Sequence, residues 1–113
     1  MPDINDAISK TRKGMGQLSK DAPEFMQSFR AMVDAVEKSG VIDAKTTELI
    51  LVAIAVSKQC TYCIHLHVDL ALKAGASREE ILAAAQLAVV MGGGPALMYT
   101  VNTVVDCLDD LAG

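Results

Sequence analysis

Apolar residues recur along this chain at helical spacing, and no segment alternates apolar and polar positions as a half-buried strand does. Residues 4 to 18 carry a weak amphipathic stripe through Ile4, Ile8 and Leu18, loosened by Gly14 and Gly16, so this arm is expected to pack on a neighbour or to fray. Asp21-Ala22-Pro23-Glu24 supplies an N-cap residue, an early proline and an acid, which predicts a helix start capped by Asp21. That helix runs through Phe25, Phe29, Met32, Val33 and Val36 and stops near Gly40. Asp43 caps the next, which carries Glu48 and the run Leu49 to Val56, too apolar for a surface helix and therefore central. A break at Ser57 to Gln59 leads into a helix bearing Cys60, Cys63 and His67, which continues through Val68, Leu70 and Leu72 to a stop at Gly75. Ser77-Arg78-Glu79-Glu80 reads as a capping box and opens a helix over residues 78 to 91. After a break from Gly92 to Pro95, Pro95 begins a last helix through Leu97, Val101, Val104 and Leu108. The expected fold class is all-α, a compact single domain of about six helices. Residues 1–20 form an N-terminal helical arm and residues 21–113 the helical domain.

Composition changes the picture in two ways. At 113 residues there is room for one core, yet 51% of the residues are hydrophobic and only 4% aromatic, more aliphatic surface than one small core hides. Homo-oligomerisation is therefore expected, with surplus apolar faces buried between subunits. The net charge of -4 and the scattered Lys and Arg argue against a nucleic-acid partner. Ile81 to Tyr99 has only Gln86 as a strongly polar side chain, but the Gly92 to Pro95 break leaves an apolar helix of about eleven residues where a bilayer needs about 20. No membrane span is expected. Met1 to Lys20 is polar and mixed in charge, with no export signal, so the expected location is cytoplasmic. There a Cys-x-x-Cys pair is catalytic or metal-binding more often than structural.

The chemistry is concentrated in Cys60-x-x-Cys63-x-x-x-His67. On a helix these residues share one face, and the two cysteine Cα atoms fall roughly 5 Å apart, inside the range of roughly 4.4 to 6.8 Å that a disulfide tolerates. A free thiol of pKa about 8.5 is mostly protonated at neutral pH. A helix start contributes roughly 0.3 to 1 kcal/mol toward the thiolate, which helps Cys60 and leaves room for a base. His67 is that base for Cys63, one turn away, whereas Cys60 lies roughly 10 Å along the axis. Cys60 is then the more exposed partner at the helix end. If the two helices turn near Lys58 into an antiparallel hairpin, Glu48 and His67 reach nearly the same level and meet directly or through water. Such a carboxylate fixes the imidazole in a relay that leaves Cys63 as thiolate. Each residue also has a plainer reading: the cysteines as small buried hydrophobes, His67 as a satisfied half-buried histidine, Glu48 as a solvated glutamate early in a helix. His65 points off the stripe and reads as a surface or interface residue, Tyr62 as packing between subunits, and Cys107 as a half-buried bystander.

With their flanks, these residues resemble the alkylhydroperoxidase D and carboxymuconolactone decarboxylase superfamily. The match is E-x11-C-x2-C-x3-H on Glu48, Cys60, Cys63 and His67, and it extends through Gly75-Ala76-Ser77 and Glu79-Glu80 to Gly93-Gly94-Pro95-Ala96. The resemblance implies an all-helical fold in trimers or hexamers and a thiol peroxidase or disulfide reductase activity. Its substrate would be a hydroperoxide or a disulfide, its electrons would come from an external dithiol or redox partner protein, and it calls for neither metal nor other cofactor. Carried over residue by residue, it implies that Cys63 attacks the peroxide, Cys60 resolves the sulfenic acid and meets the reductant, and Glu48 with His67 relays protons. The chain departs from alkylhydroperoxidase D in having Thr61-Tyr62 where that protein has a relay histidine between its cysteines, and in being shorter. Members that decarboxylate lactones generally lack the cysteine pair, which counts against that activity here. Two other readings compete: a metal-binding module with Cys60, Cys63 and His67 as ligands, or an interaction subunit whose thiols report redox state.

Overall fold

The structure is a computed structural model that describes residues 3–112. It is all-helical, in the order α1 (Ile4–Asp21), α2 (Pro23–Lys38), α3 (Ala44–Ser57), α4 (Thr61–Lys73), α5 (Arg78–Tyr99), a π-helical turn (Thr100–Val104) and α6 (Val105–Leu111). The apolar run of α3 makes it the central helix. Val52, Ala55 and Val56 are buried against Ile64, Val68 and Ala71 of α4 on one side and Ile81, Ala85 and Ala88 of α5 on the other. Val104, Cys107 and Leu108 close the core. Full burial of each large aliphatic is worth roughly 1.5–3 kcal/mol, so these few residues supply most of the driving force.

Local chemistry sets the helix ends. Asp43 accepts from the Thr46 N–H at 2.7 Å, and Ser77 and Glu80 exchange both bonds of a reciprocal capping box, at 3.1 and 3.0 Å. These bonds hold the Asp43 and Glu80 carboxyls below the usual carboxylate range, through the Thr46 and Ser77 backbone N–H groups first. At the end of α4, Gly75 takes φ 94°, the left-handed value that closes the helix while Ala76 N–H returns to the Ala71 carbonyl at 2.9 Å.

One expected helix start needs correction. Asp21 does not cap α2; it is the last residue of α1, and Ala22 alone joins the two helices, without a side-chain cap. The proline at the first position of α2 has no N–H to be satisfied, which lowers the need for one. Of the two outcomes expected for the N-terminal arm, packing holds, against α4 and α6 of the same chain: Ile8 is buried, Arg12 reaches Asp69 of α4 at 3.4 Å, and the Ile4 N–H donates to Asp110 of α6 at 3.2 Å. Gly14 and Gly16 weaken helix propensity by about 1 kcal/mol each, and tertiary packing overrides them. The Gly92 to Pro95 break is present as expected: Gly93, at φ 64° and ψ -145°, is non-helical and kinks the run between two helical arms, with Pro95 near the start of the second. The run Arg78–Leu111 is long and apolar enough, by length and composition, to cross a membrane. It is bent at Gly93, and its first arm packs on α3. Finally, α2 rests mainly on α1 and buries only Met26; Phe25, Phe29, Met32 and Val36, most of its apolar stripe, face outward.

Candidate active site

The turn between α3 and α4 aims the cysteines. Gln59 adopts φ 56°, its N–H returns to the Val56 carbonyl at 3.0 Å, and the Cys60 N–H returns to Ala55 at 3.1 Å. This double return is the motif that closes α4 at Gly75, here built on a non-glycine residue. It delivers Cys60 as the N-cap of α4, one position before the helix proper. Its Sγ accepts from the Cys63 N–H at 3.2 Å. A sulfur in that place faces the unpaired N–H groups of the first turn, the end of a helix that favours negative charge.

Cys60 and Cys63 are joined in a disulfide, with their Cα atoms 5.2 Å apart. Both are half-buried, so the expected difference in exposure between them is not present at that level. His67 lies one turn beyond Cys63 on α4. The hairpin of α3 and α4 brings Glu48 to it directly, Oε2 to Nδ1 at 2.8 Å. Glu48 is only 8% exposed, which rules out the solvated-glutamate reading. A carboxylate only accepts, so Nδ1 carries the proton and Nε2 is the nitrogen left able to take one. The four residues picked from the sequence thus lie on one helical hairpin.

Two openings flank this hairpin. A recess of about 460 Å³ is lined by Glu48 together with Glu37, Ile42, Thr47, Leu70 and Lys73. A groove of about 730 Å³ lies between Tyr62 and Asp6, Ala7, Lys10 and Thr11 of α1. Tyr62 is 67% exposed there. The recess walls escaped the sequence reading because they come from three segments, and a charged residue near a helix end looks like any solvated one.

His65 is not a surface residue. It is 8% exposed, its ring meets Tyr62 edge-on at 6.5 Å, and its Nδ1 finds no hydrogen-bond partner among the described residues. Burial pushes this imidazole below its usual value. Cys107 is likewise fully buried in the core instead of half-buried. Burial first, then Asp106 and Asp110, push its thiol up to about 12, which makes it inert at neutral pH. Among the described residues no three His, Cys, Asp or Glu side chains converge as a metal site would require.

Fold and site together define an all-helical protein with a Cys-x-x-Cys disulfide at a helix start and a carboxylate–imidazole pair beside it. The chain belongs to the carboxymuconolactone decarboxylase family, whose model matches residues 23–106. It is 33% identical over 97 residues to an uncharacterized protein of Cupriavidus necator, covering 86% of each chain. It is also 33% identical over 113 residues to uncharacterized protein 4 in the cox locus of Paracoccus denitrificans, covering 100% of this chain and 99% of that one. Among solved structures, apo-lpg0406, a carboxymuconolactone decarboxylase family protein from Legionella pneumophila, superposes with a TM-score of 0.85 at 37% identity, covering 96% of this chain and 94% of that one.

Proposed function

We propose that the protein is a thiol-dependent peroxidase and disulfide oxidoreductase acting in the reducing cytoplasm. The observation that carries this reading is the 2.8 Å Glu48–His67 contact one turn from a closed Cys60–Cys63 pair. In the reduced protein, His67 takes the Cys63 proton at Nε2 while Glu48 holds Nδ1–H. The Cys63 thiolate attacks the terminal oxygen of a hydroperoxide: an S–O bond forms, the O–O bond breaks, and the leaving alkoxide takes a proton from His67 to become an alcohol. The Cys60 thiol then attacks the sulfenic sulfur, forming the disulfide and releasing water. An external dithiol, approaching from the open face beside Tyr62, returns two electrons and two protons by thiol–disulfide exchange at Cys60. No cofactor enters this cycle.

The metal-module reading is less well supported, because the disulfide ties up two of its three ligands. The test is steady-state consumption of an organic hydroperoxide with a dithiol as reductant. Wild-type protein turns over, and Cys63→Ser falls to the uncatalysed background while keeping its helical circular dichroism. Equal rates for the two proteins would end the proposal.

A further inference from the structure

The two openings that flank the candidate hairpin share a wall. The groove beside Tyr62 is closed on its other side by Asp6, Ala7, Lys10 and Thr11 of α1. The recess on Glu48 is walled by Glu37, at the end of α2, and by Gly40 and Ile42 in the turn that follows. α1 and α2 are themselves one unit: Ala22 alone joins them, α2 rests mainly on α1, and the pair reaches α3 through a turn in which Gly40 takes the left-handed φ of 66°.

This unit is held thinly. α1 buries Ile8 and α2 buries Met26, whereas α3, α4 and α5 each bury four or more residues. Its polar ties to the rest of the chain, Arg12 to Asp69 of α4 and the Ile4 N–H to Asp110 of α6, lie at the exposed rim, where water replaces such bonds at little cost. Underneath, α1 covers a polar group that has no partner. Tyr62, His65 and Asp69 stand at i, i+3 and i+7 on one face of α4, and α1 meets the first across the groove and the last through Arg12, so His65 lies between them under α1. Its buried Nδ1 finds no hydrogen bond among the described residues, a cost that water would relieve if α1 moved away. Few buried apolar contacts and exposed polar ties are the marks of a segment that opens without global unfolding.

We propose that α1 and α2 form a hinged cover that lifts as one body from α4, turning at Gly40, and that its opening admits water to His65 and the external dithiol to Cys60 and Cys63. Seated, the cover narrows both approaches to the hairpin; lifted, it widens the groove and the recess together. α3 and α4 stay packed in the core, so the Glu48–His67 contact persists through the motion. The admission of dithiol rests on the function proposed above, and the motion itself does not.

Native-state hydrogen exchange on the wild type reads the motion, so no variant's misfolding leaves it untested. The slowest amides of α1 and of α2 are expected to share one protection, at least about tenfold below the slowest of α3 and α5. Protection in α1 equal to that in α3, or separate protections in α1 and α2, overturns the cover. Ile81→Ala, in the core between α3 and α5, sharpens the test: protection in α3 and α5 should fall while that in α1 and α2 stays unchanged. An equal fall in all four helices would mean that the cover opens only when the whole chain unfolds, which overturns the proposal. His65→Leu removes the partnerless nitrogen and should raise protection in α1 and α2 several-fold; no gain in the folded variant overturns the part given to His65. Access is read with dithiothreitol. In Arg12→Cys/Asp69→Cys, the new thiols are joined by a bismaleimide while Cys60 and Cys63 are still disulfide-bonded and Cys107 is buried. Reduction of the pair should then be several-fold slower than in the same variant capped with N-ethylmaleimide, and equal rates overturn the admission of dithiol. Exchange reads the motion and hydroperoxide turnover the function, so either can fail alone.

Discussion

The α3–α4 hairpin and helix α2 depart from a freestanding globular domain in opposite directions. In the hairpin a carboxylate and an imidazole are held in a mostly buried setting, 8% of Glu48 being exposed. On α2 a phenylalanine is 64% exposed. A buried charge is costly unless paired, and an exposed aromatic stripe forfeits burial that the chain could have gained. The hairpin offsets its cost with a short hydrogen bond and places that bond beside a disulfide, the arrangement on which the proposed function rests. The stripe has no such compensation among the described residues.

Removing the buried carboxylate should produce the largest effect. Glu48→Ala is expected to slow hydroperoxide-driven oxidation of the thiols by about 10²–10⁴-fold, the range for losing a positioned acid–base partner, while Phe25→Ala keeps the wild-type rate. Rapid-mixing measurement of thiol loss checks this, and an unchanged rate for Glu48→Ala would mean the carboxylate is structural. Truncation within the core sharpens the contrast energetically. Ile64→Ala, at a fully buried position, should cost about 2–5 kcal/mol in denaturant unfolding. Phe25→Ala, at an exposed position, should stay within about 0.5 kcal/mol. Comparable losses would show that the α2 stripe is packed within the monomer after all.

A smaller effect comes from His65. Its pKa is depressed in the folded state, so the unfolded chain binds the proton more tightly. Stability is therefore full above the unfolded value near 6.5 and declines as pH falls below it. Thermal melts from pH 8 to 5 should show this decline, and His65→Leu should shallow it. An identical slope in the variant would assign the acid sensitivity to other groups.

Much of this architecture was legible because its signals are local. Asp43 and the Ser77–Glu80 box announce helix starts by their own side chains, and the length of the α3 apolar run could only be central. The Glu48–His67 contact was legible for a related reason: a hairpin between adjacent helices fixes which levels meet, so spacing in sequence becomes spacing in space. What escaped the reading depends on partners distant in sequence. The burial of His65 and Cys107, the docking of the N-terminal helix through Arg12 and Asp69, and the outward turn of the α2 stripe follow from how helices stack. Periodicity shows that a helix has an apolar face, not which neighbour covers it. The break at Gly93 was legible for a local reason too, because glycine and proline signal interruption by their own backbone chemistry.

The most direct test of the central claim is a thiol count across a single turnover. Fully reduced protein has three cysteine thiols, and one equivalent of hydroperoxide, followed by denaturing quench and peptide mass mapping, should leave one, on Cys107, with Cys60 and Cys63 joined. Three thiols remaining after peroxide, or oxidation falling on Cys107 while the pair stays reduced, would contradict the assignment of this hairpin as the redox centre.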